Sequence, residues 1–158
     1  MAVKKSQKKN NASRLNRNTR DMVILTGNPI WRAFSKKPVS QTVQITIGLA
    51  GRKALYALTT NNGRFEDFNE LVVTAYAAII LAEGGWGHEF LGDFNSALET
   101  ILECRLRALT GACYSLCEKE AEAVNTLLEL HEQQVQLADK AELASAIVEG
   151  YQRAQETR

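Results

Sequence analysis

The sequence predicts an all-α protein, a compact bundle of four to five helices with a disordered basic arm at its N-terminus. Three observations carry this. Residues 64–83, RFEDFNELVVTAYAAIILAE, contain a nearly unbroken apolar run from Leu71 to Ala82, interrupted only by Thr74. Such a run, set between acidic flanks, reads as a central helix packed on more than one side. Downstream of it, apolar residues recur at steps of three and four as far as Tyr151, the period of one helix face. The chain also holds only two prolines and lacks the regular turn clusters of an all-β protein.

With 158 residues there is room for one domain with a real core. Residues 1–20 are excluded from that core. Val3 and Leu15 are their only large apolar side chains among Asn, Ser, Lys and Arg. Such a segment cannot bury enough surface to offset its ordering entropy. Residues 21–38, DMVILTGNPIWRAFSKKP, form a hinge: a short apolar patch at Met22–Leu25, a turn at Gly27-Asn28-Pro29, then Ile30, Trp31 and Phe34 as anchors. The helical domain is expected over 39–158.

Within that domain, residues 39–60 read two ways. Val43, Ile45, Ile47 and Leu49 alternate with polar residues or glycine, which is period two and predicts a short extended piece at 42–47. Leu49, Lys53, Leu55, Tyr56 and Leu58 fit a helix at about 49–60. The extended piece has no partner in the chain, so it either pairs in a homodimer or is helix after all. Asn61-Asn62-Gly63 ends this helix, because Asn and Gly tolerate the left-handed conformation of a helix end. The central helix follows, with Glu66, Asp67 and Glu70 at the positive end of its dipole and Gly84-Gly85 as its stop. A helix from about 88 or 93 carries Phe90, Phe94, Ala97, Leu98, Ile101, Leu102, Leu106 and Leu109, with Asp93 or Asn95 as its cap. A third long helix is expected over 113–138, with Leu116, Ala123, Leu127, Leu130 and Val135 inward and its glutamates outward. A last helix at 140–154, capped by Asp139, turns Leu143, Ile147, Val148 and Tyr151 inward.

Charge supplies the functional signal. Residues 1–53 hold twelve Lys/Arg and one acid, whereas residues 54–158 hold seven Lys/Arg and seventeen acids. The front is therefore suited to polyanions that the body would repel. Lys4, Lys5, Lys8, Lys9, Arg14, Arg17 and Arg20 are spaced along an extended path that suits phosphate neutralisation of DNA or RNA. No aromatic residue sits among them, so base stacking is not indicated. Trp31, Arg32 and Phe34 have the composition of a partner-binding anchor, although stapling the arm to the core explains them as well.

Chemistry is less well supported. Cys113 and Cys117 stand four apart and could be drawn with Cys104 and His131 or His88 as a zinc site. The spacing lacks the two close ligand pairs of a knuckle or ribbon, and cysteine is a common buried small residue. No metal and no other cofactor is expected. His88 beside Glu89 in GGWGHEF could be imagined as an acid–base pair, but no nucleophile elbow or HExxH accompanies it. His131 reads as a surface or partly buried helical residue. No catalytic residue is assigned, and Gly51–Lys53 is not a phosphate loop. No signal peptide is evident in MAVKKSQKKNN. The Leu71–Ala82 run is too short to span a membrane. An odd number of cysteines suits a cytoplasm-like, reducing compartment.

A basic leader, then TGNPI at Thr26–Ile30, then a helix-rich body with LHEQ at Leu130–Gln133, resembles small helical accessory proteins of proteobacterial plasmids and prophages. The resemblance would cover residues 22–150 and implies origin more than mechanism. The expected function is therefore a non-enzymatic, nucleic-acid-associated accessory or regulatory protein of a mobile element. The alternative is a protein-interaction module whose acidic body inhibits a host nuclease or defence complex.

Overall fold

A computed structural model describes residues 37–111 and 113–157. Among them lie five α-helices: α1 (Gln41–Thr59), α2 (Phe65–Glu83), α3 (Leu91–Leu109), α4 (Glu118–Leu137) and α5 (Lys140–Glu156), with a single 3-10 turn at His88–Phe90 before α3. They belong to one unit spanning Lys37–Arg158. The expected basic arm at 1–20 and most of the expected hinge lie outside the described residues.

The stretch 64–83 becomes α2, and the other four helices all pack against it. Its start is held by the Asp67 carboxylate, which accepts the Arg64 backbone N–H at 3.1 Å. Gly85, at φ +106°, turns the chain away after it, a conformation glycine adopts without steric cost. Eleven of its nineteen residues are buried, and in its second half only the Tyr76, Ile80 and Glu83 side reaches solvent. One side, through Leu71, Val72, Ala75 and Ile79, joins Leu58, Phe94, Ile101 and Leu127 in the larger core. The other side, through Ala77 and Leu81, joins Val39, Val135, Leu143 and Ala146. Each wholly buried aliphatic side chain here contributes about 1.5–3 kcal/mol.

Small residues set the helix spacings. A Cβ on Gly150 would stand 3.0 Å from the Val73 carbonyl oxygen and 3.2 Å from the Ala77 nitrogen, so α5 meets α2 backbone to backbone. Ala146 and Ala154, one turn to either side, are buried with it. On the opposite flank, α1 reaches α4 at Gly51, where a Cβ would come within 2.7 Å of a Leu128 methyl.

Several expectations are corrected. Residues 42–47 are helical, part of α1. The apolar alternation there reflects a helix with apolar residues on two faces, so strand pairing is not a route to a dimer. The segment 113–117 is not helix: Tyr114 bridges to Gly63, and the Leu116 N–H donates to the Leu58 carbonyl at 3.1 Å. Phe68 stacks on Tyr114 with ring centroids 5.4 Å apart, which closes this connection over the core. α4 therefore starts at Glu118, and its inward stripe is Val124, Leu127, Leu128, His131, Gln134 and Val135; Ala123 and Leu130 are only partly buried. Neither Asp93 nor Asn95 caps α3, whose N-cap position is Phe90. Tyr151 is exposed rather than inward. Asp139 does cap α5, accepting from the Ala141 and Glu142 N–H groups at 2.8 and 2.9 Å. Asn61, at φ +56°, takes the left-handed position after α1.

Candidate interaction surface

The residues singled out for phosphate contact (Lys4, Lys5, Lys8, Lys9, Arg14, Arg17 and Arg20) and for partner binding (Trp31, Arg32 and Phe34) lie outside the described residues. The other places considered, the Gly84–His88 bend and the cysteines, are described.

The bend is tied down from below by a polar network that the sequence did not announce. The Gln134 side-chain Nε2 donates to the Ala78 carbonyl at 3.0 Å and to the Trp86 carbonyl at 2.7 Å. With both amide hydrogens committed, Oε1 must accept, so the His131 Nδ1, 3.1 Å away, carries its proton and donates to it. His131 is only 3% exposed. Burial pushes its pKa below the ordinary histidine value, against smaller opposing effects from the Gln134 hydrogen bond and the Glu132 charge. It is a neutral core group, the reverse of the surface reading. Above the bend, the Trp86 indole N–H donates to Glu142 at 3.1 Å. His88 and Glu89 are both exposed. The bend is a structural corner joining α2, α4 and α5.

The cysteines separate. Cys104 is buried in α3, and burial raises its thiol pKa, so it is a protonated core side chain. Cys113 and Cys117 are exposed in the connection before α4 and do not share a helix face. Among the described residues no cluster of three or more His, Cys, Asp or Glu could hold a metal ion. Arg107, one of two arginines in α3, pairs with Glu120 at 2.8 Å. Burial opposes ionisation of Glu120, but the Cys117 N–H and the Arg107 guanidinium together hold its carboxyl below the usual range.

Among the described residues, exposed apolar side chains remain on several helices, Leu106 and Leu109 of α3 and Leu137 of α4 among them, and the longest such row is on α1. Its inner side, at Gly51, Ala54 and Leu58, is buried. Its outer side is apolar as well: Ile45, Leu49 and Tyr56 are 53%, 63% and 70% exposed. Beside them a groove of about 330 Å³ runs between α1 and α4, lined by Ile45, Gly48, Leu49, Arg52, Glu132 and Val135 among others. Arg52 closes one wall by a bidentate contact, Nε to Glu132 Oε1 at 2.8 Å and Nη2 to Oε2 at 3.1 Å. The hydrogen bond to Glu132 raises the arginine pKa further, so the guanidinium is charged at every physiological pH. A signal for this face existed in the sequence: Ile45, Leu49 and Tyr56 are spaced by four and seven, opposite Ile47, Ala54 and Leu58. Reading 42–47 as extended concealed it.

No helix among the described residues is long and apolar enough to cross a membrane. No protein-family model, curated protein or solved structure matches this chain.

Proposed function

We propose that this is a non-enzymatic, nucleic-acid-associated accessory protein, of the kind carried by mobile elements, in which a basic arm contacts phosphates and a helical body serves as platform. The observation that carries the reading is where the charge divides. Residues 1–36 hold nine Lys/Arg and one acid; residues 37–158 hold ten Lys/Arg and seventeen acids. The basic run extends through residue 65, and the first acid after Asp21 is Glu66, so every acid of the body lies in α2 or after it. Opposite charges on one chain direct a polyanion to the front and keep it off the body.

Binding of a generic duplex or single strand by the full chain, titrated with salt, tests this. Up to seven phosphate contacts from Lys4 to Arg20 give a slope of log affinity on log salt near −6, and a loss of roughly several thousandfold between 50 and 200 mM salt. Deleting residues 1–20 abolishes the binding. If the shortened chain binds as well as the full one, the reading is wrong.

The acid excess of the body favours one second reading, a protein-interaction module that presents a nucleic-acid-like surface to a basic host protein such as a nuclease. That reading predicts inhibition of a nuclease by the chain lacking residues 1–20, with no nucleic-acid binding by either form.

A further inference from the structure

We propose that the outer face of α1 is a self-association surface whose occupant is a second copy of this chain, crossing antiparallel about a two-fold axis between Leu49 and Arg52. The proposal is independent of what the basic arm binds.

The register of the face comes first. Thr42, Ile45, Leu49, Arg52, Tyr56 and Thr59 are all exposed and follow one another at steps of three, four, three, four and three. This is the spacing of a helix–helix seam, and it reads the same from either end. An antiparallel copy turned about the midpoint of the stripe sets Ile45 against Tyr56, Leu49 against Arg52, and Thr42 against Thr59. Every stripe position meets another stripe position, which is what an isologous contact requires.

The central pair is compatible with burial. The Arg52 guanidinium is already neutralised by Glu132 within its own subunit. A leucine covering its alkyl stem would not strand an unpaired charge.

Charge permits this occupant. Residues 37–65 contain no Asp or Glu at all, and the one charged residue of the stripe, Arg52, is paired with Glu132, so an α1–α1 contact sets no acid against acid and no unpaired charge on the stripe itself.

Area agrees. At about 150–250 Å² for a large side chain, the exposed parts of Ile45, Leu49 and Tyr56 offer on the order of 400 Å² of apolar surface. A standard interface takes about 800 Å² from each partner, a little over half of it apolar. The threonines, Arg52, Lys53 and the groove wall supply the polar remainder.

Analytical ultracentrifugation of the full chain, from about 0.1 to 100 μM at moderate salt, tests this. The expected result is a monomer–dimer equilibrium with Kd in the micromolar range. Leu49→Glu shifts it toward monomer by at least about a hundredfold. Leu109→Glu, at an equally exposed leucine on α3, leaves it unchanged, and circular dichroism verifies that both variants are folded. Register is read separately in a Cys113→Ser, Cys117→Ser background. Mixed Ile45→Cys and Tyr56→Cys chains cross-link on oxidation to a disulfide dimer, whereas either alone does not. A chain that stays monomeric throughout, or equal weakening by Leu49→Glu and Leu109→Glu, overturns the proposal. Cross-linking of Ile45→Cys to itself overturns the antiparallel crossing.

Discussion

His131 donates its Nδ1–H to the Gln134 side-chain oxygen at 3.1 Å, and both groups lie inside the bundle where α2, α4 and the Trp86 bend meet. A protonated imidazole would add a charge with no carboxylate to receive it at that hydrogen bond. Burial therefore lowers the folded-state pKa below the unfolded value of 6.5. For a base with a depressed folded pKa, the unfolded state binds the proton first as pH falls. Stability is thus complete above about pH 6.5 and declines below it until the folded pKa is reached. Urea unfolding between pH 7.5 and 5 should show a loss of up to about 2 kcal/mol from this one group, at about 1.4 kcal/mol per pH unit. In His131→Leu that part of the pH dependence disappears, whatever the variant's stability at neutral pH. An unchanged pH profile in the variant would remove His131 as its source.

Gln134 should prove more costly to lose than its surface-type chemistry suggests. Truncation to Ala leaves the Ala78 and Trp86 carbonyls without its two N–H donors and deprives His131 of its acceptor. At about 1–3 kcal/mol for each buried group left unsatisfied, Gln134→Ala is expected to lower stability by at least about 3 kcal/mol. Indole fluorescence of a Trp31→Phe background, which leaves Trp86 as the sole reporter, should change in the folded state because the bend loses its anchor. Chemical denaturation followed at that signal gives both quantities.

Two helical glycines should respond oppositely to alanine. At Gly150 the added methyl meets the Val73 carbonyl oxygen and Ala77 nitrogen of α2. Those are backbone atoms, so α5 must move outward. Gly150→Ala is expected to cost about 1–3 kcal/mol. At Gly92, in the first turn of α3, nothing lies within 4 Å of the new Cβ, and the gain in helix propensity should stabilise by about 0.5 kcal/mol. Thermal melts of the two variants measure the contrast directly; a loss at Gly92 equal to that at Gly150 would show that close helix approach is not the cause.

The α4–α5 corner depends on Asp139. Its Oδ1 receives two backbone N–H groups, and the Glu142 carboxylate returns a contact to the Asp139 N–H at 3.1 Å, a complete capping box. Asp139→Ala should cost about 1 kcal/mol and Asp139→Asn much less, since Asn caps as well. Amide exchange should speed up in the first turn of α5 and leave α2 unaffected.

What was legible in the sequence follows from how local each signal is. α2 could be placed within a residue because its apolar run, acidic start and glycine stop are all contained in the helix itself. The cap at Asp139 and the turn at Asn61 were legible for the same reason. The 42–47 segment was misread because alternation of apolar residues is ambiguous. On a strand it builds one face, but on a helix it places Ile47 inward and Ile45 and Leu49 outward. His131 and Gln134 were missed because their partners, Ala78 and Trp86, lie about fifty residues away in the chain. Cys113 and Cys117 were placed on a helix that does not form, since the Tyr114 and Leu116 backbones find partners at Gly63 and Leu58 instead.

By itself, then, the sequence determined an all-α body organised on one apolar helix, the positions of most helix ends, and the partition of charge between residues 1–36 and the remainder. Those properties depend on composition and on spacing within a few residues. Only the tertiary structure decided that α1 is helical from Gln41, that it shows a second apolar face to solvent, and that a histidine sits neutral in the core. Each of these turns on which helix covers which face. A face is hidden or open according to its neighbours: Gly51 lets α4 come close on one side of α1, and among the described residues no helix covers the stripe from Ile45 to Tyr56 on the other.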